Sequence, residues 1–399
     1  MSFFRIVWLL SYISIASFSA AIITPALPEI QQQYFLLQGQ IEWMVSAFLI
    51  GYVIGQLIYG PLANRFGRIT ALRMGLVINL VGIVICYFGL MTHAYWVLIA
   101  GRFVTALGAA SGLACTFMLI NEWLPAEQRK TAMAYTILSF TLGIGLAVLL
   151  GGLISQYNHW YHCFLLLFVH GLLMLYGTKV FSETLTTPQS INFNSIVKGY
   201  LAVLSSDTVL IYSLVVGFCS AIGYCFSAAG PQIAFDLFQL SPAEYGYWNI
   251  INMVGMLSGG LLAKVALQKY SASNVVYLGL AGTGLSVSSL ILMFYSGNPL
   301  VLWFFMSTLF LYLFSGFLFA GGSYIASNAV SDKASGAAMM SFINMTTATL
   351  AVVLMGYVST KPLLAFITIL AGLWFLVLAI LSLRNGWYFV QNKQEPSGS

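Results

Sequence analysis

The chain has 399 residues, of which 60% are hydrophobic, 15% aromatic and only 6% charged. Soluble domains run about 45–50% apolar and about 25% charged, so a soluble globular protein is excluded and lipid must solvate much of the surface. The net charge of +5 is dispersed over short loops, which suits the positive-inside rule and excludes a nucleic-acid-binding patch.

A hydrocarbon core about 30 Å thick needs about 20 apolar residues per helix. On that measure the sequence predicts an all-α polytopic membrane protein with twelve transmembrane helices, at 6–28, 42–61, 71–91, 95–119, 132–154, 162–181, 209–231, 245–263, 274–296, 300–328, 336–358 and 363–383. Backbone polar groups have no water partner inside lipid, which forces helices, and the ten-residue alternation of a membrane barrel is absent. Span one carries Tyr12 and Phe18, has no acid between Ile6 and Pro28, and reads as an uncleaved helix because further spans follow it. Glu42 opens span two, which also holds Tyr52 and Gln56.

Between spans two and three lies GPLANRFGRITAL, residues 60–72. Gly60 and Gly67 lack a β-carbon and permit a tight turn and close helix approach. Arg65 and Arg68 can bond helix C-terminal carbonyls and complement their negative dipole ends; alternatively they serve only as topology signals. Arg102, seven residues into span four, is costly unless it faces protein or water. It either reaches a central cavity or caps carbonyls near the outer interface by snorkelling. Glu122 and Asn121 end span four, Gly143, Gly145, Gly151 and Gly152 make span five a close-packing helix, and His170 lies in span six.

The polar stretch 182–208 divides the spans six and six. The expected organisation is an N-terminal six-helix bundle at 1–181, a connector at 182–208, a C-terminal bundle at 209–384 and a tail at 385–399. In the second half Tyr224, Asn252 and Asn344 are polar or aromatic residues inside spans; with Asn79, Gln56 and Asn249 they either line a pathway or hold helices together. The five cysteines lie in apolar runs without metal-ligand spacing and read as small core residues.

With the N-terminus inside, thirteen of the fifteen Lys and Arg fall on the cytoplasmic side, Lys361 alone falls outside and Arg102 lies within a span. Both termini are thus expected in the cytoplasm. Two segments recur at an offset near 200: GPLAN at Gly60 with GLLAK at Gly260, and LAVLLGG at Leu146 with LAVVLMG at Leu350. Parallel repeats would produce this, giving two pseudo-symmetric halves.

Gly60, Leu62, Arg65, Gly67 and Arg68 match the Gly-x-Leu-x-Asp-Arg-x-Gly-Arg loop of the major facilitator superfamily. The chain resembles that family, and more narrowly the twelve-span drug–proton antiporters of the bicyclomycin/chloramphenicol-resistance type; TPALPEI, GRFVTALGAASG and LSPAEYG carry the likeness further. The resemblance implies the major facilitator fold, alternating access, a bacterial inner-membrane location, and a loop at Gly60, Asn64, Arg65, Gly67 and Arg68 that latches the halves in the outward-open state. It also implies a cavity role for Arg102, beside cavity candidates Tyr12, Phe18, Tyr52, Gln56, Tyr224, Asn252 and Asn344.

The implied function is export of small amphipathic molecules by a monomeric transporter, in membrane lipid, with no enzyme activity, cofactor, metal or nucleic-acid partner. Three departures bear on proton coupling: Asn64 stands at the acidic position of the loop, Ala147 and Val148 replace the Gly-Pro of span five, and span one lacks an acid. Glu42, Glu122 and His170 are the remaining proton-coupling candidates. An importer or facilitator for a specific metabolite or siderophore-like chelate, without proton antiport, is the alternative.

Overall fold

The structure is a computed structural model that describes residues 3–185, 187–188, 193–330 and 333–394, with side chains left undescribed at 3, 126–138, 193, 195–196, 333–335 and 385–394. Among the described residues every regular element is a helix. Spans two to six are Trp43–Phe66, Arg68–Met91, Tyr95–Trp123, Ala126–Tyr157 and His162–Gly177. Spans seven to twelve are Asp207–Phe238, Pro242–Lys269, Ala272–Tyr295, Val301–Asn328, Lys333–Val358 and Pro362–Gln394. The connector contains a helix at Phe193–Leu204. The fold is thus the expected two-bundle, twelve-span membrane protein, with two corrections at its ends. Span twelve stays helical to Gln394, through residues expected as tail, and 395–399 lie outside the described residues.

Span one is the second correction, because it is broken. Phe3–Ser11 and Ser14–Ala21 are separate helices, followed by a 3-10 turn at Thr24–Ala26 and a short helix at Leu27–Gln33. Phe4–Ser11 is bent by 44° from the stretch Ser14–Gln33. The sequence supplies the cause: Ser11 Oγ donates to the Trp8 carbonyl and Ser14 Oγ to the Ser11 carbonyl, each at 2.6 Å, and such back-bonding bends helices. Pro25 and Pro28 each withhold a backbone donor from the later turns.

The repeat seen in the sequence is also a repeat of packing. A β-carbon on Gly51 or Gly55 of span two would strike the carbonyl of Phe103 or Leu107 in span four. In the second half Gly255 and Gly259 of span eight meet the carbonyls of Leu309 and Leu313 in span ten in the same way. Both glycine pairs are offset by 204 residues, the offset of the LAV segments. Small residues at these positions let backbones approach where no hydrophobic gain drives helices together in lipid.

Chain alternation collects Arg65, Arg68, Arg73, Lys179, Lys264, Lys269 and Arg384 at one end of the bundle, hereafter the basic end, and Glu29, Glu42, Asp236 and Glu244 at the other, the acid end. The largest hydrophobic cluster joins the halves toward the acid end: Ile22, Ile23 and Met44 belong to the same core as Phe218, Phe226 and Val352.

Candidate functional site

The seam between the halves is closed at the acid end. Gln38 Nε2 donates to Gln232 Oε1 of span seven and, at 3.1 Å, to Glu42 Oε1. Trp43 Nε1 donates to the Tyr357 hydroxyl at 3.2 Å. Gly39 and Gly356 meet backbone to backbone: a β-carbon on Gly356 would lie 3.0 Å from Gly39 Cα and 2.8 Å from Glu42 Cγ. Glu42 is 2% exposed, and its Oε2 has no hydrogen-bond partner. Around it stand Gln38, Gly356, Tyr95 and Cys225, none a cation. Nothing in the sequence paired these groups, since Gln38 and Gln232 are 194 residues apart.

Deeper in the seam two polar groups of residues meet. Ser341 Oγ of span eleven donates to Gln56 Oε1 of span two at 2.8 Å; Tyr52 and Tyr224 adjoin this bridge. Asn344, one turn from Ser341, is buried with its Oδ1 unpartnered. The second group lines a narrow crevice between Thr141, Ile144 and Gly145 of span five, Asn249, Asn252, Met253 and Met256 of span eight, and Tyr312 of span ten. Asn252 Nδ2 donates to Asn249 Oδ1 at 3.1 Å, and Thr308 Oγ1 donates to Asn252 Oδ1 at 2.7 Å. Four expected cavity residues, Tyr52, Gln56, Tyr224 and Asn344, thus gather at one part of the seam, and Asn252 stands at another. Thr141, Thr308 and Tyr312 were missed, because a hydroxyl in an apolar run carries no sequence signal of its own.

Arg102 and Tyr12 require correction. Arg102 is fully buried inside the first bundle, not in the seam. Its Nη1 donates to the Ser19 carbonyl at 2.8 Å, Nη2 to Ala20 O at 3.4 Å and Nε to Met44 O at 3.3 Å, and Phe48 lies 4.5 Å under its guanidinium. It ties the broken span one to span two, capping the Ser19 and Ala20 carbonyls at the end of the Ser14–Ala21 piece and bonding the Met44 carbonyl in the first turn of span two. Arg102→Ala is expected to lower the unfolding temperature of the solubilised protein by several degrees, since each stranded buried acceptor costs about 1–3 kcal/mol. Arg102→Lys recovers only part of this, having no planar fork. Tyr12 is likewise structural: its hydroxyl donates to the Met174 carbonyl at 2.7 Å, buried between spans one and six. Phe18 packs on His170, 5.1 Å between rings, a contact within the first bundle.

At the basic end only one of the two loop glycines makes a turn. Gly60 is inside the span-two helix with open space beside it, so the tight turn expected there is absent. Gly67 makes the whole turn at φ 104°, and a β-carbon on it would run into the Glu183 carboxylate. That carboxylate accepts from the backbone N–H of Arg68 at 2.8 Å and Ile69 at 3.0 Å, capping span three. Arg68 pairs with Glu122 at 2.7 Å and donates to Ala63 O at 3.1 Å; Thr184 also binds Glu122. Glu122 is therefore committed to Arg68, which corrects its place among free proton-binding candidates. Arg65 is exposed and Asn64 half-buried. These bonds join spans two, three and four to the start of the connector, so in this conformation the loop holds the first half together.

Partial burial pushes the Glu183 carboxyl up, but the N–H groups of Arg68, Leu185, Thr184 and Ile69 outweigh it and hold it below the ordinary carboxylate value. A depressed folded value means stabilisation that is complete above the unfolded value and lost as pH falls through the folded one. The carboxylate is largely solvated, so its contribution is about 1 kcal/mol or less. Glu183→Gln is expected to speed tryptic cleavage at exposed Lys198 several-fold near neutral pH, and acidification should do the same to the parent protein.

The span-five glycines face two ways. A β-carbon on Gly143 or Gly151 would collide with Ser17 or the Ile22 carbonyl of span one; on Gly145 or Gly152 it would collide with Met253 or the Pro242 carbonyl of span eight. Span five is thus wedged between its own bundle and the other half.

Two six-helix bundles of one membrane-embedded chain, repeated in packing and meeting along a polar seam, define the class of helical secondary transporters. A sequence model of the Major Facilitator Superfamily matches residues 9–237, and the chain belongs to that superfamily. It is 24% identical over 274 residues to the bicyclomycin resistance protein homolog of Haemophilus influenzae, covering 67% of each chain. It is 27% identical over 284 residues to an uncharacterized transporter of Rickettsia felis, covering 68% of this chain and 67% of that one. Among solved structures, the D-xylose-proton symporter superposes with TM-score 0.76 at 18% identity, over 95% of this chain and 97% of that one. The inward open xylose transporter XylE from E. coli gives TM-score 0.74 at 16% identity, over 95% of each. At these identities the likeness to the solved structures is one of fold.

Proposed function

We propose that this transporter exports small amphipathic molecules across a bacterial cytoplasmic membrane by alternating access, with protons acting on the cycle through Glu42. The basic end is the cytoplasmic side, with both termini there, because Lys and Arg are retained on that side. One chain supplies both faces of the seam, so the working unit is a monomer. The observation that carries the reading is the closure at the acid end, where Gln38, Gln232, Gly39 and Gly356 bring the halves together over a buried carboxyl. Export is supported by the resistance-protein relative.

Glu42 is favoured among the three proton candidates because Glu122 is paired with Arg68, while Glu42 keeps one oxygen unpartnered at the interface that must open. Burying an unpaired charge is costly, and binding a proton removes the charge. Flux of bicyclomycin in proteoliposomes under an imposed proton gradient tests the proposal. Gradient-driven flux that an uncoupler abolishes is expected; uncoupler-insensitive flux would leave a facilitator and sink the antiport.

A further inference from the structure

We infer that Arg73 and Lys179 form a binding site for the phosphate of an anionic phospholipid, on the lipid-facing junction of spans three and six at the basic end. The ligand is a phosphodiester of net negative charge, with an acyl chain laid along the line where the two spans meet.

Spans three and six run antiparallel, and two contacts set their register. Arg73 Nε donates to Thr178 Oγ1 at 2.8 Å. The same number of residues further along each span, a β-carbon on Gly171 would lie 2.8 Å from Leu80 Cδ2. Thr178 is 1% exposed, and its hydroxyl in turn donates to the Leu175 carbonyl at 2.8 Å. The guanidinium is thereby held through Nε alone, and both terminal nitrogens remain for a ligand. A planar fork fixed in this way suits bidentate binding of phosphate oxygens.

Lys179 follows Thr178 in the 3-10 turn Thr178–Val180, and its Nζ stands 4.5 Å from the centroid of the Tyr176 ring. A cation on an aromatic face is positioned without being neutralised. Trp8 Nε1 of span one donates to the Gly177 carbonyl at 3.3 Å, and Arg5, one turn before Trp8, adds a third cation at this end. No described carboxylate pairs with these cations. Glu122 is taken by Arg68, Glu183 accepts N–H groups of span three, and Arg68–Glu122 is the only ion pair among the described residues. Like charges held near one another without a counter-ion repel, and a phosphate between them removes the repulsion. The missing acid also sets the lipid class. A zwitterionic headgroup would bring its ammonium beside these cations, whereas an anionic one brings only the charge that is lacking.

The surface next to the cations points to lipid as the source of the phosphate. By the same register Val77 lies level with Leu173, and Val81 with Val169, and all four are exposed. These aliphatic pairs run from the cations toward the middle of the bilayer, the path an acyl chain takes, and exposed Tyr176 stands at the interface. Lys and Arg at the membrane surface attract anionic lipid; here the fork of Arg73 and the fixed Lys179 give that attraction a place. The site is built from spans one, three and six of the first bundle, so its lipid neither enters the seam nor competes with a transported molecule.

The test titrates the purified full chain, stripped of lipid in detergent, with phosphatidylglycerol and with phosphatidylethanolamine, and reads bound lipid by native mass spectrometry. The parent is expected to bind phosphatidylglycerol at least about fivefold more tightly. Lys179 is exposed, so Lys179→Glu should fold and should weaken phosphatidylglycerol about tenfold while leaving phosphatidylethanolamine unchanged. Lys264→Glu reverses an equally exposed charge at the same end of the other half and should leave both affinities as they are. Equal affinity of the parent for the two lipids, or equal losses in Lys179→Glu and Lys264→Glu, would reduce the effect to general surface charge and overturn the inference. Inorganic phosphate should not displace the bound lipid; displacement would make the ligand a soluble phosphate and overturn the lipid assignment.

Discussion

Replacing Glu42 by Gln is expected to give a folded protein whose transport no longer responds to pH. In the closed acid end the carboxyl accepts one hydrogen bond from Gln38 and leaves its second oxygen without a partner, with Gly356, Tyr95 and Cys225 nearby and none of them a cation. The charged form is penalised while the end is closed and hydrated once it opens, so low pH favours closure and high pH favours opening. Gln keeps the size and the acceptor and cannot carry the charge. Transport by Glu42→Gln should therefore be flat across the pH range in which the parent changes, and a proton gradient should drive it at least about tenfold less well. Retention of gradient-driven flux by this variant would move the proton site elsewhere.

Gly356→Leu is expected to hold the acid end open. A single β-carbon at Gly356 would already sit 3.0 Å from Gly39 Cα and 2.8 Å from Glu42 Cγ; a leucine adds three further carbons that the closed interface cannot hold without moving the halves apart. Over-packing of this kind costs about 1–3 kcal/mol, and a bias of that size moves a two-state equilibrium by about fivefold to 150-fold. A cysteine placed at Gln38 should then react with a membrane-impermeant maleimide, whereas in the parent background the same site is half-buried in the interface. Flux should fall with it, since a transporter fixed at one end does not cycle. Unchanged labelling and flux would mean that the glycine contact is incidental.

The spans, the six-and-six division and the two-half repeat were legible because each is written in local composition: twenty-residue apolar runs, charge placed between them, and glycines at a fixed offset. Contacts between distant segments were not. Glu183 caps span three from 115 residues away, and the loop motif alone gave no hint that a connector carboxylate fills the space beside Gly67. Arg102 stands out in the sequence as an intramembrane charge that needs partners. Which partners depended on the breaks in span one, and those come from serine back-bonding that apolar patterning does not reveal. The sequence lets either Gly60 or Gly67 make the tight turn; the helix continues past Gly60 to Phe66, and the positive φ falls at Gly67.

On the proposed cycle the two ends of the seam open in alternation and Glu42 biases which is closed. Spin labels at Gln32 and Leu237 across the acid end, and at Thr70 and Lys264 across the basic end, are all at exposed positions and report both openings in one lipid preparation. Raising the pH should lengthen the Gln32–Leu237 distance as the Thr70–Lys264 distance shortens, and Glu42→Gln should hold both at their low-pH values. Distances that lengthen together, or that shift with pH in Glu42→Gln as they do in the parent, would rule out alternating opening biased by Glu42.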